Sequence, residues 1–241
     1  MSGWGSKNPI PDAETGQALL DTVYSSSKNK QLYNIYNGEL IKFQPDTVEG
    51  SNMKCFGNKQ KLAIEYEIMN KVACFEFWVD NKPLCCFFKD GKRQQYKLTK
   101  WELSQIVEWL IKNEQYILNE IEFPLQVDAK SSMEFLDKSG TFDSDDIEEF
   151  HIWYTKRQDW YFRHSWYFNR GGSCMADIMF RRDGKKIEIE WNNTYLYEEI
   201  EFVNPKGIYY VDITIFQQVI NEFIEDYKFN YAFTEDIQSK T

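Results

Sequence analysis

Two Asp-Gly dipeptides, Asp90-Gly91 and Asp183-Gly184, constrain the fold more than any other feature of the chain. Each lies between short runs rich in strand-forming residues. Asp-Gly accommodates the positive φ angles of a two-residue turn, so each predicts a β-hairpin and therefore an antiparallel sheet. Around the first, the alternating Leu62, Ile64, Tyr66 and Ile68 read as a strand, followed by strands over Val72–Val79 and Leu84–Phe88 and one ending at Leu98. Thr99 and Glu102 have capping-box spacing, and Leu103, Ile106, Val107, Leu110 and Ile111 then recur at helical spacing.

The second dipeptide sits in the same grammar. Trp160–Phe168 reads as a strand, Gly171-Gly172 as a turn, and Cys174–Arg182, Lys185–Trp191 and Ile208–Val211 as strands. Asp212 is the expected N-cap of a helix whose inner face is Phe216, Val219, Ile220, Phe223, Ile224 and Tyr227. The expected class is α+β: two similar antiparallel meander-plus-helix halves, a pattern of internal duplication. Ahead of them, Pro11, Asp12 and Glu14 open a helix, and Asn37-Gly38 turns a further hairpin. The expected divisions are 1–45, helix and hairpin; 46–125, first half; 126–150, an acidic linker; and 151–241, second half.

Composition narrows the function classes. Aromatic residues make up 17% of the 241 positions, which a disordered chain would not carry. No apolar run reaches the roughly 18 residues of a membrane span, and the first residues show no apolar signal segment, so a cytoplasmic protein is expected. Cys55, Cys74, Cys85, Cys86 and Cys174 match no zinc or redox spacing and read as buried, reduced thiols. Net charge is −10 and uneven: residues 1–125 hold 16 acids and 15 bases, residues 126–241 hold 22 and 13. That balance argues against a phosphate-backbone binder. Five of the seven residues from 143 to 149 are acidic: Asp143, Asp145, Asp146, Glu148 and Glu149. An EF-hand reading of Asp137–Glu148 fails at its sixth position, where Phe142 replaces the glycine of the sharp turn.

The second-half hairpin carries the most chemistry. Counting outward from Asp183-Gly184 sets Arg182 opposite Lys185, Met179 opposite Glu188 and Asp177 opposite Glu190. Asp177, Met179, Arg181, Lys186, Glu188 and Glu190 then share one face. Asp177, Glu188 and Glu190 would converge, with His164 beside them if Gly171-Gly172 is a two-residue turn. Carboxylate oxygens in that arrangement suit Mg²⁺ or Mn²⁺ and metal-assisted hydrolysis. The pattern resembles PD-(D/E)xK nucleases, with Glu190 in place of the lysine and Ala176 in place of the proline. The competing reading is a solvated sheet face balanced by Arg181 and Lys186.

The string from Trp160 to Trp191, WYFRHSWYFNRGGSCMADIMFRRDGKKIEIEW, also resembles a domain of bacterial proteins with an RHS[WL]…GG…PD[VI].FRR.GD.IEISW pattern. Arg163, His164, Ser165, Gly171, Gly172, Asp177, Phe180, Arg181, Arg182, Gly184, Ile187, Glu188, Ile189 and Trp191 match; Ala176 and Glu190 depart. That resemblance implies no activity. In style, though not in motif, the acidic α+β chain is similar to bacterial immunity proteins, which bind and block a cognate toxin.

These observations favour a protein-binding role over catalysis, with no cofactor. Asp143, Asp145, Asp146, Glu148 and Glu149, together with Arg163, Trp166 and Arg181, are the candidate contacts to a partner with a basic surface, the concrete form being toxin immunity or bacterial defence. The alternatives are a nuclease or hydrolase using Asp177, Glu188, Glu190 and His164, and a structural subunit of a larger assembly.

Overall fold

The computed structural model describes the backbone of residues 33–36 and 39–42 and residues 53–69, 72–95, 97–169 and 174–238, with side chains to residue 230. The chain divides at Glu49 into two units. In the first, β1 (Tyr33–Tyr36) and β2 (Glu39–Lys42) form an antiparallel hairpin with Tyr36 opposite Glu39, as Asn37-Gly38 predicts. The expected helix start at Pro11, Asp12 and Glu14 lies outside the described residues, as does Gly171-Gly172.

The second unit is α+β. Its largest sheet runs β3 (Lys54–Asn58), β4 (Leu62–Met69), β5 (Val72–Val79) and β6 (Lys82–Pro83), with β9 (Lys97–Thr99) also on β5. Asp80 and Asn81, both at positive φ (52° and 60°), turn β5 into β6. β7 (Phe87–Lys89) and β8 (Lys92–Gln94) close on Asp90-Gly91, with φ of 51° and 71°, the predicted type of turn. Helix α1 (Lys100–Asn119) starts at the predicted box: Glu102 N donates to Thr99 Oγ1 (3.1 Å) and Thr99 N to Glu102 Oε2 (2.6 Å). Leu103, Ile106, Val107 and Leu110 are buried as expected, but Ile111, at the rim of the stripe, is exposed.

The segment expected to be a linker is built instead of helix α2 (Ser132–Ser139) and the start of α3 (Ile147–His164). Likewise Trp160–Phe168 is not a strand: Trp160 to His164 ends α3 and Tyr167–Asn169 is a single 3-10 turn. Aromatic residues at every second position satisfy a strand pattern, and β propensity favours them there. The buried pair Trp160 and His164, stacked with ring centroids 4.5 Å apart, equally satisfies the helical i, i+4 spacing, and tertiary packing selects the helix.

A second sheet orders β10 (Met179–Asp183), β11 (Lys186–Asn192) and β13 (Lys206–Asp212), all antiparallel; β12 (Glu201–Phe202) pairs instead with β7. Helix α4 (Ile213–Gln238) follows β13, with Thr214 N donating to Asp212 Oδ1 (2.9 Å) and all six predicted inner residues buried. The two expected halves do not keep separate cores. Trp109 of α1 meets Phe180 of β10 at 6.0 Å, and Phe223 of α4 meets Tyr66 of β4 at 5.2 Å. Each half's helix therefore packs on the other half's sheet, and one apolar core runs through both. Apolar burial is non-directional, so a stripe packs wherever complementary surface lies, regardless of which half encodes it.

Candidate functional site

The second-half hairpin keeps its predicted faces but not its predicted pairing. Asp183 pairs with Lys186, Arg181 with Glu188 and Met179 with Glu190, two residues away from the count centred on Asp183-Gly184. The turn is Gly184-Lys185, with Gly184 at φ +60° in its first position. A shift of two residues leaves every side chain on its own face. It does, however, bring Arg181 rather than Met179 against Glu188.

That neighbour decides the chemistry of the cluster. Arg181 Nη2 donates to Glu188 Oε2 at 2.6 Å in a pair that is almost wholly buried. Glu188 Oε1 accepts from Ser132 N (2.8 Å) and Ser132 Oγ (2.5 Å), and Tyr210 OH donates to Oε2 (3.2 Å). Glu190 accepts from Ser131 Oγ (2.9 Å) and Met133 N (2.7 Å). Both carboxylates thus hold the first backbone N–H groups of α2, where the helix dipole favours negative charge. Burial pushes the Glu190 carboxyl up, against the lowering effect of those bonds.

Asp177 is not part of this group. It precedes β10, and its oxygens accept from Tyr161 OH (2.7 Å) and Ser165 Oγ (2.5 Å). The expected convergence of Asp177, Glu188 and Glu190 is therefore corrected: the oxygens are held by donors of the chain at two separate places. Among the described residues no group of three His, Cys, Asp or Glu side chains could hold a metal ion.

His164 is fully buried. Its Nδ1 donates to the Phe180 carbonyl (2.7 Å), and its Nε2 lies 3.2 Å from Glu120 Oε2. Both ring nitrogens thus face partners inside the fold, and the fully buried ring is not presented to a substrate. Arg163 grips the same carboxylate through Nε (3.0 Å) and Nη2 (2.8 Å). Burial would raise Glu120, but His164 and Arg163 overcome it and hold the carboxyl down at about 2.

Of the eight proposed partner contacts, two are buried and a third, Arg163, is half-buried in an ion pair. Trp166 is fully buried, with Nε1 donating to the Ala176 carbonyl (2.8 Å), and Arg181 and Arg163 are committed to Glu188 and Glu120. Each is held by a group far along the chain or across the sheet, Ala176, Glu188 or Glu120, which sequence spacing alone does not reveal. The five acids differ. All five are exposed and none has an ion pair among the described residues; Glu149 accepts from Ser144 Oγ (2.6 Å). Asp146 is the N-cap of α3, accepting from Glu148 N (2.8 Å) and Glu149 N (3.2 Å).

Sequence reasoning missed the apolar residues set among these acids. Ile147 (74% exposed), Phe150 (36%) and Ile152 (49%) lie on the first two turns of α3. The signal was available: Asp146 before an acidic first turn, and Arg163 and His164 in the last turn, mark a helix with its charges matched to the dipole. The loop leading into this surface is fixed. Phe142 stacks on Trp153 with centroids 4.1 Å apart, and Tyr154 OH donates to the Gly140 (2.9 Å) and Phe142 (3.0 Å) carbonyls.

The thiols of Cys74, Cys85 and Cys86 are buried as expected; Cys55, on an edge strand, is exposed. Among the described residues no helix is long and apolar enough to cross a membrane. No family model matches the chain. No curated protein and no solved structure matches it either.

Proposed function

We propose that this chain is a bacterial, cytoplasmic protein-binding protein that occludes a partner with a basic surface, an immunity protein against a basic toxin being the concrete form. One observation carries the reading: Asp143, Asp145, Asp146, Glu148 and Glu149 stand exposed near Ile147 and Phe150, exposed neighbours at i, i+3 spacing at the start of α3. Exposed apolar groups rimmed by uncompensated charge of one sign are what a desolvating contact with steering requires. The acids would speed encounter and select a partner of opposite sign, while Ile147 and Phe150 would supply area removed from water. The loop and cap are already ordered by Ser144, Asp146, Trp153 and Tyr154, so little ordering entropy is left to oppose binding.

The test is affinity capture from the native host with the full chain and with a D143N/D145N/E148Q/E149Q variant, which keeps the Asp146 cap. Wild type should retain a basic protein that is released by high salt and is absent from the variant's eluate. Equal retention by both proteins would remove this surface from the reading. If the retained protein is toxic when expressed alone, co-expression of wild type, but not of the variant, should restore growth.

A further inference from the structure

β13 is seven residues long, ends its sheet, and pairs only with β11 among the described strands. Asn193 N donates to the Pro205 carbonyl at one end of that pairing, and Ile213 N to the Lys185 carbonyl at the other. Antiparallel alternation then directs the backbone groups of 205, 207, 209, 211 and 213 toward β11. Those of Lys206, Ile208, Tyr210 and Asp212 point outward. A row of free N–H and C=O groups of this length is a template for another strand unless the chain blunts it.

The sequence of the strand says which strand. Lys206-Gly-Ile-Tyr-Tyr-Val-Asp212 carries a base at one end, an acid at the other and no charge between them. Placed antiparallel to itself about Tyr209, it sets Lys206 against Asp212, Ile208 against Tyr210 and Tyr209 against its own copy. In that register each outward-facing residue meets another outward-facing residue, as ladder hydrogen bonds require. Parallel pairing would set lysine against lysine and aspartate against aspartate. Lys206, Ile208 and Asp212 are exposed, and Ile208 is 44% so.

We infer that the chain forms a two-fold symmetric dimer by pairing β13 with β13 of a second copy, joining the two three-stranded sheets into one of six. The interface is isologous and closes on itself, so it consumes the edge and does not propagate. The dyad falls at Tyr209, in a non-hydrogen-bonded pair, where facing side chains are closest.

Light scattering on the full chain during size exclusion gives the oligomeric state. The expected result is twice the chain mass. Ile208→Pro removes an outward donor while leaving the β11 ladder intact, and it should yield monomer with an unchanged circular dichroism spectrum. Lys206→Glu reverses both terminal ion pairs of the dimer and should weaken association roughly tenfold. In a Cys55→Ser background, Tyr209→Cys should form a disulfide-linked dimer on mild oxidation, whereas Lys206→Cys, far from its symmetry mate, should not. The cysteine pair decides the matter even if the proline variant fails to fold. A chain that stays monomeric up to its solubility limit overturns the inference. So does a dimer that Tyr209→Cys does not cross-link, or an edge that captures a strand from a different protein in place of a second copy.

Discussion

Glu76 should make this protein lose stability as pH rises through neutrality, opposite in sign to ordinary acid denaturation. The residue lies on β5 and is 2% exposed. Its Oε1 accepts from Phe77 N (3.0 Å) and Cys85 N (2.7 Å), tethering the segment after β6, while Oε2 has no partner. Burial lifts the carboxyl from its ordinary 4.5 to about 7, despite the lowering effect of the backbone donors. Between those two values the folded chain keeps the proton and the unfolded chain has lost it. The native state then binds more protons, so the free energy of unfolding falls with pH and levels off above 7. The full excursion is about 3 kcal/mol.

Glu76→Gln removes the titration and retains an acceptor for Phe77 N and Cys85 N. Its amide nitrogen replaces the orphan oxygen, at an expected cost of about 1–3 kcal/mol that does not vary with pH. Urea unfolding at pH 5, 6, 7 and 8 separates the two effects. The wild-type midpoint should fall by roughly 1 M more than the variant's across that range. Glu102 and Glu190, also raised by burial, slope the same way but are common to both proteins and cancel in the comparison. Glu120, held at about 2, sheds its contribution only as pH falls below the ordinary carboxyl range, outside this window. A constant separation between the two midpoints from pH 5 to 8 would refute the reasoning.

Arg181→Met leaves Glu188 buried without its cation and should destabilise by about 3–5 kcal/mol in denaturant titration; adding Glu188→Met should recover part of the loss. Thr99→Ala removes one arm of the capping box on α1 and should lower stability by about 1 kcal/mol, measured the same way. Gly207→Ala places a Cβ 2.4 Å from the buried Trp191 ring, which must shift; thermal melting should show a cost of about 1–3 kcal/mol.

What the sequence made legible is what local physics fixes alone. β5 has its predicted bounds, Thr99 and Glu102 close their box, and the six apolar positions of α4 are all inside. Each depends on residues within a turn or two. The failures needed the third dimension. The pairing of β10 with β11 slipped by two because that slip moves no side chain across the sheet, so hydrophobic patterning cannot detect it. Helix α2, at eight residues, is too short to display periodicity, and Glu188 and Glu190, 56 and 57 residues away from the groups they cap, help to hold it. The end of α3 alternates like a strand because its aromatics face several neighbours at once: Trp160 meets Phe123 and Phe162 meets Phe168.

Two sets of carboxylates looked alike as sequence and part company on one physical criterion. Glu188, buried, and Glu190, half-buried, are held by an arginine, two serines and a helix N-terminus, which take up their acceptor capacity. Charge spent in this way stabilises the fold and is withdrawn from any partner, because freeing it would leave buried groups unpaired. The acids from Asp143 to Glu149 have water as their main partner, apart from the local bonds that order the loop and cap. The repulsion between the loop acids Asp143 and Asp145 and their neighbours is uncompensated by any ion pair among the described residues, so neutralising these two, which sit outside the helix, should leave stability unchanged or raise it slightly, whereas neutralising Glu188 or Glu190 should lower it. Comparing urea midpoints of D143N/D145N with that of Glu188→Gln tests this partition. Equal losses in the two proteins would mean that the exposed acids belong to the architecture and are not held in reserve for a partner.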